Sequence, residues 1–321
     1  MTPIVNASHQ HVIDSHIHFW HPDQVYVSWI DEKDKKLFRH KDAEEFTERI
    51  KKSSTPVQVK AGIYVETDVD PCHGLVEADW IANYVDQIKP TADFGGIYGI
   101  VAFAPVYQGN QVRNYLNTLL KLLKDKKSLL KGVRYLLQDP CKDPNRILDT
   151  HFIQGIQALA DYELCFDLTI NCNEHPEQFP PLQQLVSQCP NVRFVLDHMA
   201  KPPCDAQSGD KRFEFWKQQI IQLAQNPNVY CKVSGLLTEI KQTFPQDIVH
   251  HLKPFIEVVR QSFGVDRIMF GGDWPIVELS LHRLNWHDWY RIVSDIVQPW
   301  SAEEKQKLFA LNAAQFYDLS L

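Results

Sequence analysis

Eight short apolar segments, each followed by a stretch with helical spacing, predict that this 321-residue α/β chain folds as a (β/α)8 TIM barrel. No shift in composition divides the sequence, so we expect a single domain over residues 1–321. Strands that alternate with helices pair in parallel, and eight such units close into a barrel. The alternative is an open doubly wound sheet, which the absence of a GxGxxG motif after the first strand disfavours.

The predicted strands are short and apolar, as expected for strands that are buried on both faces. In chain order they cover residues 12–19, 61–67, 96–106, 130–137, 165–171, 192–199, 229–234 and 267–271. Helices are predicted where apolar residues recur every three or four positions. They cover residues 42–52, 75–88, 112–123, 147–162, a helix that starts near 181, 213–225, 248–263, 281–297 and 303–316.

The first connection is longer than a strand-to-helix loop requires. Residues 20–55 contain one predicted helix and therefore form a long insertion after the first strand. Insertions of this kind are often rims or lids over a binding site.

Composition and charge exclude several classes of protein. The formal charge of −7 disfavours a nucleic-acid or anionic-membrane surface. No stretch approaches the roughly 18 apolar residues of a membrane span, and residues 1–11 lack the pattern of a secretory leader. The seven cysteines are an odd number without a CxxC pair, so we expect a reducing compartment, the cytoplasm, rather than a disulfide framework.

The first strand carries a polar pattern that is unusual for a buried strand. A period of two places Asp14, His16 and His18 on one face and the residues between them on the other. Two imidazoles on one face can bind a single divalent ion, and an adjacent acid can orient a ring or add a ligand. The alternative is an edge strand whose polar side faces water.

Further polar residues fall at the predicted ends of the other strands, where a parallel barrel places its reacting groups. From the second strand to the eighth they are Glu66, Arg134, Asp167, Asn171, His198, Lys201, Lys232, Ser234 and Asp273, and Trp274 follows. Each has a structural alternative, such as a hydrogen-bonded core histidine, an aspartate that caps a turn, or ion pairs within the barrel. Burying several charges without partners costs several kcal/mol each, so together they favour a shared ion or an anionic ligand.

The residue types indicate the chemistry. His16, His18 and His198 offer nitrogen ligands and Asp273 a carboxylate, while the barrel mouth leaves a position for water or substrate. Asp273 is also the expected general base, because a carboxylate beside water can accept its proton.

Substrate contacts are predicted around this centre. Arg134 offers a planar fork for a carboxylate or oxyanion. Trp20 and Trp274 offer flat faces of the kind that stack on sugar rings, although they are equally ordinary as core aromatics. Glu66 and Lys201 complete the set of predicted substrate contacts.

Five ordered blocks spread over most of the chain resemble the amidohydrolase superfamily, and within it the amidohydrolase-2 branch. The sequence is similar to the fuconolactonase-like sugar lactonases and the pyrone-dicarboxylate lactonases of that branch. The blocks are DSHIHFW at 14–20, GVR at 132–134, DHMAKP at 197–202, KVSGL at 232–236 and GGDWP at 271–275.

The resemblance implies a (β/α)8 barrel that hydrolyses a lactone ring, with Asp273 activating water. It also implies that His16, His18 and His198 bind a metal or polarise the carbonyl directly. Because the fifth strand has no histidine, the pattern suits at most one divalent ion, zinc or manganese, and a metal-independent enzyme stays open. We therefore predict a hydrolase of carbohydrate metabolism that acts on a sugar-acid lactone, with a homodimer left open.

Three other functions are consistent with parts of the pattern. A metal-dependent decarboxylase of the same superfamily is one, although the missing fifth-strand histidine counts against it. A phosphate-binding barrel that forms a Schiff base on Lys201 or Lys232 is another. The third is a barrel that binds a ligand without turning it over.

Overall fold

The computed structural model describes residues 10–51 and 57–320. Most of residues 1–11, which we predict to lack a secretory leader, lie outside these ranges. Residues 52–55 of the predicted insertion also lie outside them. Eight parallel strands form one sheet in the order of the sequence. They are β1 Gln10–Ile17, β2 Val57–Val65, β3 Ile97–Phe103, β4 Leu130–Arg134, β5 Cys165–Leu168, β6 Phe194–Leu196, β7 Val229–Val233 and β8 Ile268–Phe270.

Helices separate the strands and surround the sheet. They are α1 Ala43–Lys51, α2 Gly74–Val85, α3 Val112–Leu123, α4 Thr150–Ala158, α5 Phe179–Gln188, α6 Lys211–Leu223, α7 Ile248–Phe263, α8 Trp286–Ile296, α9 Ala302–Gln306 and α10 Asn312–Phe316. A π-helical turn, Lys307–Leu311, joins α9 to α10. None of the described helices combines the length and apolarity needed to cross a bilayer.

The sheet closes between its first strand and the segment that follows its last. The Asp273 amide donates a hydrogen bond of 2.8 Å to the His16 carbonyl, and the His18 amide donates one of 2.8 Å to the Trp274 carbonyl. The predicted (β/α)8 barrel is confirmed. The closing bonds bring the first and eighth strands, and the polar residues after them, to the same edge.

The lower part of the barrel is apolar and closed. Ile13, Val65, Val101 and Met269 are buried together inside it, and Phe316 of α10 belongs to the same cluster. A second and larger core fills the space between the sheet and the helices. Since the described residues fill its lower end, a ligand can enter this part of the barrel from the carboxyl ends of the strands.

Several strands end earlier than their apolar patterns predict. The strand β6 stops at Leu196, and His198 lies in a short turn with φ of 53°. The strand β8 stops at Phe270, and Asp273 has φ of 54°. These left-handed conformations are uncommon for residues other than glycine, and they turn the two side chains away from the directions that a strand would give them.

The predicted insertion is present and is closed at its base. Trp20 and Lys41 form an antiparallel bridge, in which each amide donates to the other residue's carbonyl. The helix α1 follows this bridge, in agreement with the prediction for residues 42–52 as far as Lys51. The loop between the bridged residues lies next to the barrel mouth, because its Trp29 lines the cavity there.

Candidate active site

The first strand does not keep its period of two, which corrects the predicted position of Asp14. The pairing of β1 with β2 shifts register between residues 14 and 17. His16 and His18 are adjacent, whereas Asp14 accepts hydrogen bonds from the Trp286 indole at 2.6 Å and the Gly272 amide at 2.8 Å. Burial raises the pKa of Asp14 to about 7. Asp14 therefore fastens the segment after β8 to α8 and is not a ligand beside the histidines.

The two histidines of β1 form a close pair. Their Nε2 atoms lie 3.1 Å apart. His18 Nδ1 lies 2.8 Å from the Val65 carbonyl, which can only accept, so we assign the proton to Nδ1. The His18 Nε2 atom then carries a free lone pair that points toward His16 and Asp273.

Asp273 lies against this pair. One of its carboxylate oxygens is 3.6 Å from His18 Nε2 and 3.9 Å from His16 Nε2. Its other oxygen is 3.9 Å from His198 Nδ1. Burial raises the pKa of Asp273, but the surrounding histidines outweigh burial and hold that pKa below the ordinary range. Asp273 is therefore ionised at neutral pH.

His198 is held in place by its neighbours. Its Nδ1 atom lies 2.9 Å from the Ser234 hydroxyl. Its ring packs on Gly235, where an added Cβ atom would lie 2.7 Å from the ring. Burial lowers the pKa of His198 to about 4, despite the opposing effect of Asp273. The imidazole is therefore neutral at pH 7.

A buried ion network lies beneath the histidines. Lys232 Nζ is 2.5 Å from an Asp167 oxygen, 3.0 Å from an Asp197 oxygen and 3.2 Å from His16 Nδ1. Burial lowers the pKa of Lys232, but the two carboxylates outweigh burial and raise that pKa. Lys232 is thus a fixed ammonium with no access to the cavity, which makes it unsuitable as a Schiff-base nucleophile.

Two candidate groups of metal ligands meet at His16. One comprises His16, His18 and Asp273, and the other comprises His16, Asp197 and His198; within each group the ligand atoms lie within 4.8 Å of one another. The second group has the Lys232 ammonium 3.0 Å from Asp197, which repels a cation. The first group suits a divalent ion better. The four predicted ligands thus fall into two overlapping groups. His16, His18 and Asp273 lie in the first group, and His198 lies in the second.

A cavity of about 340 Å³ opens above these residues at the barrel mouth. Its wall combines an ionised and imidazole-rich floor with an apolar rim. The predicted residues that line it are His18, Trp20, Arg134, His198, Lys201 and Asp273, and the others are Trp29, Thr67, Asp68, Leu136, Gln138, Thr169, Thr238, Ile276 and Leu279.

Two predicted substrate contacts do not line this cavity. Glu66 is 1% exposed and accepts a hydrogen bond of 2.5 Å from Arg134 Nε, so it orients that guanidinium. Trp274 is fully buried, packs on Phe19 and Phe46, and donates to a carboxylate outside the cavity. Both side chains are hydrogen-bonded to other residues of the chain, which the sequence pattern could not show.

Trp29 provides the exposed aromatic face that was expected of Trp274. Its ring is 41% exposed, and its indole donates a hydrogen bond of 2.8 Å to the Thr67 carbonyl. Trp20 borders the same cavity but is fully buried, and its indole donates to the Leu37 carbonyl. The only sequence signal for Trp29 was its place in the long insertion.

Asp68 and Gln138 are further cavity residues that the strand-end pattern missed, since both lie in loops beyond the strands. Burial, followed by the nearby Glu66 carboxylate, raises the pKa of Asp68 to about 6. Asp68 has φ of 55°, so its loop leaves the strand direction directly after Glu66.

Lys201 also lines a second cavity of about 530 Å³ that shares this wall.

A parallel barrel with an imidazole pair on its first strand and an ionised aspartate after its eighth is built as a hydrolase barrel. The chain belongs to the amidohydrolase family, whose family model matches residues 13–319. The membership that the five sequence blocks indicated is therefore confirmed.

Named relatives of this chain include sugar lactonases. It is 25% identical over 336 aligned residues to an L-rhamnono-gamma-lactonase of Scheffersomyces stipitis, covering 96% of this chain and 98% of that protein. It is 32% identical over 200 residues to an L-fucono-1,5-lactonase of Burkholderia ambifaria, covering 62% and 64%. A zinc-bound crystal structure of a Burkholderia multivorans amidohydrolase shares the fold, with a TM-score of 0.78, 23% identity, and coverage of 96% and 99%.

Proposed function

We propose that this protein hydrolyses the ring ester of a sugar-acid lactone. The observation that carries the proposal is an ionised carboxylate, Asp273, at the floor of a cavity of about 340 Å³ and within 4 Å of His18 Nε2. The names of the rhamnonolactone and fuconolactone relatives support the substrate class. A cavity of this size is at the lower end of the range for small-molecule sites, as a single sugar ring requires.

The reaction adds water to the lactone carbonyl and breaks the bond between the carbonyl carbon and the ring oxygen. Asp273 accepts a proton from the attacking water. The same proton then passes to the departing ring oxygen, which leaves a hydroxy acid and restores the carboxylate. Water and lactone are the only reactants, so no oxidant or further donor is needed.

Charge that develops on the carbonyl oxygen needs fixed donors. Arg134 lines the cavity as a cation, because Glu66 and Asp197 outweigh burial and keep its pKa raised. His198 is neutral and lines the same cavity, with Nδ1 engaged by Ser234. We propose that these two side chains hold the carbonyl oxygen during the addition of water.

The residues at the floor fit one divalent ion. The 3.1 Å separation of the His16 and His18 Nε2 atoms is compatible with metal–nitrogen bonds of about 2.0–2.1 Å, and Asp273 adds a carboxylate. His16 Nδ1 lies 3.3 Å from an Asp197 oxygen and 3.2 Å from the Lys232 ammonium, so these two charged groups face the ring nitrogen that would not bind the ion. When bound, zinc or manganese would polarise the carbonyl and make water more acidic.

The apolar rim suggests how the ring lies. Trp29, Leu136, Ile276 and Leu279 form the side of the cavity away from the charged floor. We propose that one face of the sugar ring packs on this rim while its carbonyl reaches Arg134 and Asp273. Trp29 takes the stacking role.

The cysteines and the substrate class indicate where the protein works and in which area of metabolism. We propose a reducing environment such as the cytoplasm, as expected for an odd number of cysteines without a CxxC pair. A sugar-acid lactone places the enzyme in carbohydrate metabolism.

The test is a screen of aldonolactones, beginning with L-rhamnono- and L-fuconolactones, by proton release. The screen is run on protein as purified, after chelation, and after return of Zn²⁺ or Mn²⁺. Turnover of a sugar-acid lactone that is lost on chelation and regained with metal supports both the proposed lactonase activity and the proposed metal site. Turnover that persists in chelator rejects the metal alone, and no turnover of any lactone rejects the proposed activity.

A further inference from the structure

The base of the long insertion carries a cluster of metal-binding side chains that is separate from the barrel floor. His21 and His40 flank the bridge between Trp20 and Lys41, so the two imidazoles lie beside each other. Asp23 follows in the turn after His21, whose carbonyl accepts hydrogen bonds from the Gln24 and Val25 amides. The chain therefore brings three ligand-bearing residues to one point from both ends of the loop.

The three residues, which we call the His21 cluster, are close enough to share an ion. His21, Asp23 and His40 each offer one ligand atom, and these atoms all lie within 4.8 Å of one another. His40 Nε2 is already 2.9 Å from an Asp23 oxygen. The side chains of His40 and Asp23 are 53% and 64% exposed, so an ion can reach them from solvent.

His21 is the fixed member of the cluster. Its ring packs against the stacked pair of Trp80 and Tyr84, with ring centroids 5.2 Å from each. Its Nε2 atom is buried and has no hydrogen-bond partner among the described residues.

We propose that the His21 cluster binds a divalent transition ion of the zinc class through two imidazoles and one carboxylate. Such a donor set is typical of zinc sites that keep an open position for water. The His21 and His40 rings are stacked at 4.1 Å with an angle of 9°, so both lone pairs do not yet converge. To share an ion with His21, the exposed His40 ring would have to turn its edge toward that ion.

A bound ion would join the two ends of the insertion. This loop carries Trp29, which lines the cavity, and the backbone bonds between Trp20 and Lys41 help to hold its base. An ion across His21, Asp23 and His40 therefore limits opening at the base of the cavity wall. The site differs from the barrel floor in its residues, so it stands whether or not His16 and His18 bind metal.

Equilibrium dialysis against Zn²⁺, followed by metal analysis, tests the proposal on the full chain. We expect His40→Ala to bind one ion fewer per chain than wild type, and Asp23→Asn to lose more than about tenfold in affinity at that site. Both side chains are exposed, so circular dichroism should show unchanged folding. The matched control is His151→Ala, since His151 is an exposed histidine 3.3 Å from Asp149 and belongs to no three-ligand group within residues 10–51 and 57–320.

A second variant distinguishes ion binding at the His21 cluster from ion binding at the barrel floor. His18→Asn removes a floor ligand, and this variant should keep the ion that His40→Ala loses. Equal stoichiometry and affinity in wild type, His40→Ala and Asp23→Asn would overturn the proposal, as would equal losses in His151→Ala. If His40→Ala fails to fold, Asp23→Asn alone decides the outcome.

Discussion

At the scale of single residues, the proposed chemistry depends on the charge of Asp273. Asparagine keeps the shape of this side chain but cannot accept a proton, so we expect Asp273→Asn to lower kcat by about 10²–10⁴-fold. Proton release from the best lactone measures the effect. Thermal unfolding checks that the fold is kept, and the exposed Asp161→Asn serves as the control. Near-normal kcat in Asp273→Asn would remove Asp273 as the base.

The buried His198 predicts how stability varies with pH. Its pKa is lowered to about 4 in the folded protein, against an unfolded value near 6.5, so the unfolded chain binds more protons between these values. The contribution of His198 to the free energy of unfolding should therefore be complete above about pH 6.5 and fall by about 3 kcal/mol as the pH drops toward 4, while the raised pKa values of Asp14 and Asp68 act in the opposite direction. Urea unfolding in chelator at several pH values measures the slope.

His198→Gln is the control for that slope, because glutamine keeps a hydrogen-bonding group but does not titrate. We expect the variant to lose part of the dependence between pH 6.5 and 4. An identical slope in both proteins would mean that other groups are responsible. Burial also lowers the pKa of His16, so this residue contributes to the slope in the same direction as His198.

Individual residues differ in how far the sequence could place them. His16, His18 and Asp273 were predicted to meet because their types and strand ends are visible in the sequence, and they do lie together. The direction of Asp14 depends on a register shift in β1, and that of Glu66 on Arg134, 68 positions away. Such partners come from distant segments, so a local period cannot reveal them.

At the scale of elements, the turn after β7 is shaped to hold an imidazole. Gly235 has φ of 70°, and a Cβ atom there would lie 2.7 Å from the His198 ring. Gly235→Ala should therefore both strain the backbone, at about 1–2 kcal/mol, and displace the ring. We expect lower kcat together with lower stability. Initial rates and urea unfolding measure the two effects.

Gly264, at the end of α7, is a control for kcat but not for stability, because its ψ of 162° lies in a region that is essentially restricted to glycine, whereas Gly235 has ψ of 1°. Its φ is 71°, but an added Cβ atom there would meet nothing within 4 Å. Gly264→Ala should thus lower stability through backbone strain, by an amount that differs from that at Gly235, while kcat is unchanged. Equal kcat in the two variants would show that the contact between Gly235 and His198 does not position the ring.

The elements themselves were largely predictable, because each strand and helix has a clear apolar period. The α3 and α7 bounds agree with the predicted 112–123 and 248–263. The predicted strands 192–199 and 267–271 were too long at their carboxyl ends. There, His198 and Asp273 adopt left-handed conformations that the surrounding barrel imposes and that apolar composition does not encode.

At the scale of the whole molecule, the barrel divides stability and function between its two ends. The lower end is filled by Ile13, Val101 and Met269 and closed by Phe316. The upper end holds the ionised and imidazole groups and the cavity. A substitution at either end should therefore change one property and leave the other.

Phe316→Ala and Trp29→Ala make this division measurable. Phe316 is 2% exposed, so its loss should cost about 3–5 kcal/mol of unfolding free energy while kcat stays normal at a temperature where the variant is folded. Trp29 is 41% exposed on the cavity wall, so its loss should raise KM with little change in stability. Urea unfolding and lactone kinetics on both variants measure the four quantities. A fall in kcat for Phe316→Ala in its folded state would mean that the lower core also controls the geometry of Asp273, since both ends share the eight strands.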